Sequence, residues 1–194
     1  AVIGMAIMGT LTITTYIFNY MATFGQNTLK LSASLSMAGE LANNGIGVFG
    51  VLLGGWASDF LGRRPVMLAA QAVVVLAVIP CFAWLIAERD ATAFIGANLI
   101  LSFASALVSA PVYAAVAENL PPAIRARGFA LIYSLPVTVL GGTTQLVVTW
   151  ILRLTGEPMA VAWYLAGVSL IGLLAMLALR ESAPAAQPPG PPGR

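Results

Sequence analysis

The sequence predicts an all-α membrane protein with six transmembrane helices. Three observations lead there. The chain has 194 residues, of which 59% are hydrophobic and only 8% charged, whereas soluble domains carry about 25% charged residues. Long apolar stretches recur along it, separated by short charged or Pro/Gly-bearing connections. These stretches lack the period-two alternation that a membrane β-barrel strand needs.

A spanning helix takes roughly 20 mostly apolar residues. Residues 1–24, 37–58, 66–87, 93–117, 128–152 and 160–179 each meet that length. The first, fourth and fifth carry many hydroxyl, amide and phenol groups, among them Tyr16, Asn19, Tyr20, Ser102, Ser105 and Tyr133. The second carries Asn43, Asn44 and several glycines, with Gly50 and Gly54 spaced for close helix approach. The third and sixth are nearly featureless apart from Gln71, Tyr164 and Ser169, which predicts a peripheral or lipid-facing position. Polar groups in hydrocarbon are costly unless they face protein or a wet cavity. Helices one, two, four and five are therefore expected to line a pathway, with interhelical hydrogen bonding as the alternative. Pro80, Pro111 and Pro136 fall inside spans and favour kinks. The Pro/Gly-rich residues 180–194 predict a disordered tail.

With six spans both termini share one side. That side receives Arg63, Arg64, Arg125, Arg127, Arg180 and Arg194, against Lys30, Arg89 and Arg153 on the other. The positive-inside rule then puts both termini in the cytoplasm. The net charge of +2 is too small to suggest a nucleic-acid partner. The chain contains no His and one Cys, Cys81. This excludes His-based metal and haem sites, Ser-His or Cys-His hydrolytic pairs, and an internal disulfide. No cofactor, metal or enzymatic activity is expected. Cys81 is expected to behave as a buried small hydrophobe. The chain opens on Ala1 with apolar residues and no basic leader, and a fragment or half of a larger protein is expected.

Between the second and third spans the chain reads Gly55-Trp56-Ala57-Ser58-Asp59-Phe60-Leu61-Gly62-Arg63-Arg64-Pro65. Gly62 permits a turn that other residues resist, and Pro65 suits the first turn of the next helix. Arg63 and Arg64 can pair with Asp59 or neighbouring carboxylates. A second charged connection, with Glu118, Pro121, Arg125 and Gly128, follows the fourth span on the same side. Together the two connections suggest a lock that breaks when helices move.

The GxxxDxxGRRP loop resembles the signature of the major facilitator superfamily, and the ExxPxxxRxxG pattern resembles its counterpart after the fourth helix of a half. The runs TTYIFNYMATFGQNTLKLS and GFALIYSLPVTVLGGTTQLVVTWIL, with the following TGEP, are similar to the metabolite–proton symporters of citrate, 2-oxoglutarate, shikimate, proline or betaine. The resemblance covers nearly all of residues 12–180. Phe60, Ser134 and Gln145 depart from the family pattern, the last two in a pathway helix where they bear on substrate identity.

The resemblance implies the C-terminal six-helix half of a twelve-helix transporter in the plasma membrane, the inner membrane of a bacterium. It further implies a 3+3 inverted repeat and alternating access around a midplane site. The expected partners are a small polar metabolite, protons, the lipid bilayer, and the missing N-terminal half or a second copy. Gly55, Asp59, Gly62, Arg63, Arg64, Glu118 and Arg125 are the expected gating-loop residues. Tyr16, Asn19, Tyr20, Asn43, Asn44 and Tyr133 are the candidates for the pathway, each with helix packing as its alternative. Glu40 is the one acid clearly inside a proposed span and so a candidate proton carrier. It lies about 18 residues, or roughly 27 Å, from Ser58, which favours the rim of the membrane instead. Two other readings stay open: a half that works only as a dimer, and a non-transporting membrane sensor or scaffold.

Overall fold

The computed structural model describes residues 2–179 and is entirely helical there. Residues 180–194, with the expected disordered tail and two of the topology-setting arginines, lie outside the described residues. The helices are α1 (Val2–Asn27), α2 (Ala33–Leu61), α3 (Arg63–Glu88), α4 (Ala91–Glu118), α5 (Arg125–Pro136), α6 (Gly142–Thr155) and α7 (Met159–Leu177). A π-helical segment, Val137–Gly141, joins α5 to α6, so the two form the fifth of six long elements. Five of those elements are long and apolar enough to cross a membrane by composition alone. The sixth, α2, is 29 residues long; its paired Asn43 and Asn44 and its glycines dilute its apolarity.

The helices outrun the apolar stretches because polar residues start and stop them. Ser32 caps α2, its hydroxyl accepting from the Leu35 N–H at 3.3 Å. Asp90 caps α4, accepting from the Ala93 N–H at 2.7 Å. Gly156, in the left-handed region, ends α6 and donates to the Leu152 carbonyl. Gly62 alone separates α2 from α3, with φ 102° and ψ 152°. That corner of backbone space is essentially reserved for glycine. Gly62→Ala is therefore expected to destabilise the protein by about 1–3 kcal/mol, measured as a lower thermal midpoint in detergent.

The fifth element breaks where Pro136 stands. Proline has no N–H to donate and its ring crowds the carbonyl four residues back. The next five residues take the wider π register, a feature frequent at functional sites. Pro80 and Pro111, by contrast, sit within unbroken α3 and α4.

The core lies between α1, α3, α4 and α7. Phe24 and Phe82 meet edge to face at 6.0 Å, and both are fully buried, as is Phe94. Cys81 is buried among these apolar residues. α3 is less peripheral than its composition suggests. It packs on both α4 and α7, and Gln71 is buried at the α3–α7 seam, donating to the Ser169 carbonyl at 2.9 Å. α2 packs chiefly on α4, and there Gly50 and Gly54 let the backbones touch.

Several hydroxyls in the spans bond within their own helix. Thr12 donates to the Met8 carbonyl, Thr15 to Leu11 and Thr143 to Val139, each four residues back at 2.8–2.9 Å. Asn98 does the same to Phe94. Such residues sit in an apolar bundle without needing a neighbour helix.

Candidate functional site

Two features concentrate the polar chemistry: clefts on either side of α1, and a charged cluster at one end of the bundle.

The first cleft, about 240 Å³, lies between α1, α2 and α4. Thr15 and Asn19 come from α1, Asn43 and Asn44 from α2, Ser102 and Ser105 from α4. None of its lining residues is charged. The second cleft, about 250 Å³, lies between α1, α4 and the fifth element, and Tyr16, Tyr113 and Tyr133 dominate its wall. Leu11, Thr15 and Asn19 belong to both. Their spacing of four residues is one face of α1, so the clefts share that face as a common wall. α3 and α7 contribute to neither.

Tyr16 is positioned by the π segment. A Cβ on Gly141 would lie 2.7 Å from the Tyr16 ring, so the ring rests directly on the glycine backbone. Tyr133 packs edge to face on Tyr113 at 6.1 Å and stacks on Phe129 at 6.3 Å. These aromatic contacts border the second cleft on the side of the charged cluster.

Of the six pathway residues expected from the sequence, five line a cleft: Tyr16, Asn19, Asn43, Asn44 and Tyr133. Tyr20 lines neither; its hydroxyl accepts from Thr149 of α6 at 3.5 Å. Ser102, Ser105, Ser109 and Tyr113 line the clefts without having been singled out. Their signal is present, since Asn98, Ser102, Ser105 and Ser109 follow helical spacing along one stripe of α4. Glu40, seven residues into α2 and half-buried, lines neither cleft.

In the charged cluster Arg63 reaches two helices. It donates to the Asp59 carboxylate and to the Ser58 hydroxyl (2.7 Å) at the end of α2. Its other terminal nitrogen donates to Glu118 at the end of α4, at 3.3 Å. The Arg63 side chain is 13% exposed against 62% for Asp59. Arg64 donates to the Leu177 carbonyl at 2.9 Å, tying α3 to the end of α7. Arg125 donates to the Leu120 carbonyl of its own connection at 3.4 Å, a contact that holds the loop rather than bridging to α2. Gly55 sits on the α2–α4 seam opposite Ala110. Phe60, where the family favours a basic residue, packs on Trp56 at 5.3 Å.

No family model matches the chain. Individual proteins do. A citrate-proton symporter of Salmonella typhi is 32% identical over 89% of this chain and 41% of its own length. An ectoine/proline transporter of Corynebacterium glutamicum is 34% identical over 67% of the chain and 25% of its own length. Over most of its length the chain is thus similar to metabolite–proton symporters of the major facilitator superfamily. It spans about two-fifths of the length of the citrate symporters it matches. The human organic anion transporter MFSD10 superposes with a TM-score of 0.57 over 94% of this chain and 48% of its own, at 20% identity, a likeness of fold. In an integral membrane protein with this likeness, the uncharged clefts and the Arg63 cluster are the two candidate functional features.

Proposed function

We propose that the chain is the C-terminal six-helix half of a secondary transporter, moving a small polar metabolite together with protons. One observation carries this reading: the two polar clefts draw their walls from α1, α2, α4 and the fifth element only. Four helices around a pathway with two outside is what alternating access between two halves requires, each half built as inverted three-helix units. The substrate is a carboxylate or zwitterion, as in the citrate and ectoine/proline transporters that the chain resembles. The clefts offer amides, hydroxyls and phenols but no cation. A substrate anion therefore finds its charge partner in the other half.

Arg63 joins the ends of α2 and α4 and holds that end of the half together while the two halves rock. Asp59 and Glu118 are its carboxylate partners. Arg64 and Arg125 hold the ends of their own segments in place. By the excess of arginines, this end and both termini face the cytoplasm of a bacterial cell.

Uptake of labelled citrate, proline and ectoine by cells expressing the complete gene product, and lacking their own carriers, tests the reading. Accumulation of one of them, abolished by a protonophore, is expected. A sensor or scaffold accumulates none. Glu40 is read as a rim residue rather than a pathway one, a reading supported by its lining neither cleft. Glu40→Gln is therefore expected to keep substrate-driven proton uptake, and loss of proton movement with retained substrate exchange would make Glu40 the proton carrier after all.

A further inference from the structure

In the cleft between α1, α2 and α4, two lining residues carry buried hydrogen-bonding atoms without partners: Oδ1 of Asn43 and Oγ of Ser105. Asn43 is only 5% exposed. Thr12, Thr15 and Asn98 satisfy such groups on nearby backbone, and the Ser169 hydroxyl of α7, which shares the lack of a partner, lines neither cleft. At Asn43 the nearest helper is already engaged, because the Ser102 hydroxyl donates to the Asn43 backbone carbonyl at 2.9 Å. Ser105 lies one turn further along the same face of α4. The cleft, about 240 Å³, equals the liquid volume of roughly eight waters and admits one end of a small metabolite.

We infer that Asn43 and Ser105 determine specificity, by reading a hydrogen-bond donor on the transported metabolite. An amide oxygen accepts only, and a serine hydroxyl accepts as readily as it donates. A substrate that brings an O–H or N–H group into the cleft satisfies the buried acceptor. An analogue of the same shape and charge without that donor displaces water from the acceptor and leaves its desolvation uncompensated. The preferred substrate class is thus a hydroxy-carboxylate or a protonated amine zwitterion, and quaternary ammonium compounds with no N–H are disfavoured. The inference rests on the transporter reading and adds the chemistry by which that site chooses.

Matched pairs test it in proteoliposomes holding the complete transporter. Citrate is compared with tricarballylate, which keeps the three carboxylates and lacks the hydroxyl. Proline is compared with N,N-dimethylproline, which lacks the N–H. For the pair whose donor-bearing member is transported, that member is expected to compete at roughly tenfold lower concentration. Asn43→Leu, close in size, is expected to shrink this ratio to about twofold or less while the donorless analogue competes as before. Ser105→Ala, which removes one buried hydroxyl, is expected to narrow it in the same direction and keeps the test open if Asn43→Leu fails to insert. Equal competition by both members in the wild type, or an unchanged ratio in both variants, overturns the inference while leaving transport standing. Absence of uptake for citrate, proline and ectoine alike overturns it together with the transporter reading.

Discussion

Arg63→Ala is expected to lower uptake by the complete transporter at least about tenfold, with the amount of inserted protein within about twofold of wild type. The expectation comes from what Arg63 holds. Its guanidinium is 13% exposed and contacts Ser58 and Asp59 at the end of α2 and Glu118 at the end of α4. Surface ion pairs contribute little, about 0–1 kcal/mol, and with Asp59 largely exposed the Arg63–Asp59 pair alone is of that kind. The Glu118 contact differs, because it crosses between helices 55 residues apart in sequence and Glu118 is only 29% exposed. Hydrogen bonds to charged groups are worth about 1.5–3 kcal/mol where solvent is restricted. Removing the arginine also takes from Asp59 and Glu118 the cation that they share. Arg63→Lys offers a single ammonium in place of a planar fork, so it is expected to restore part of the loss. In a double-mutant cycle, Glu118→Gln is expected to cost little once Arg63 is gone. Unchanged uptake kinetics in Arg63→Ala would remove the cluster from the transport cycle.

Gly54→Val is expected to be the most damaging small substitution in the bundle, lowering the thermal midpoint in detergent by roughly 5–10 °C and the folded yield with it. A Cβ on Gly54 would stand 2.3 Å from the Leu107 carbonyl oxygen and 2.9 Å from the Leu107 Cα. Those are backbone atoms within a helix and cannot move aside as a side chain tip can. One turn earlier, a Cβ on Gly50 would meet Ala106 at 2.6 Å and the Phe103 carbonyl oxygen at 3.0 Å. The α2–α4 seam is therefore held at the distance glycine sets, and a methyl group there separates the two helices along their crossing. Gly45 serves as the control. It lies in the same helix with open space where its Cβ would be, so Gly45→Val is expected to change the midpoint by about 1 °C or less. Because the first cleft is walled by these two helices, Gly54→Val is also expected to lose transport in whatever fraction still inserts.

The bundle itself was legible in the sequence, because an apolar run of spanning length has few other uses. Its boundaries were less so. α2 starts four residues before the apolar stretch, since Ser32 caps it and capping chemistry acts ahead of the hydrophobic residues. Pro136 marked the fifth span for a bend, but not the π register over Val137–Gly141 nor the close approach of Tyr16 to Gly141, a contact between distant segments. At the charged cluster, the Arg63–Asp59 pair was suggested by the two charges within one short loop, and the Glu118 contact only by reading two loops together. The Ser58 hydroxyl in that cluster gave no sign. In the clefts the amides and Tyr16 stood out because nothing else in a span explains them. The serines of α4 did not, since in-helix bonding to the carbonyl four residues back accounts equally well for a serine in hydrocarbon. Tyr20 went the other way, its phenol being taken up by Thr149.

Proton movement driven by substrate tests the account at its centre. The complete transporter is reconstituted into vesicles containing a pH-sensitive dye, and citrate, proline or ectoine is added outside with no imposed pH gradient. The substrate which accumulates is expected also to acidify the lumen, at a rate that rises and saturates with substrate and falls at least about tenfold in Arg63→Ala. Substrate entry with no change in lumenal pH, or no entry of any of the three, would contradict it.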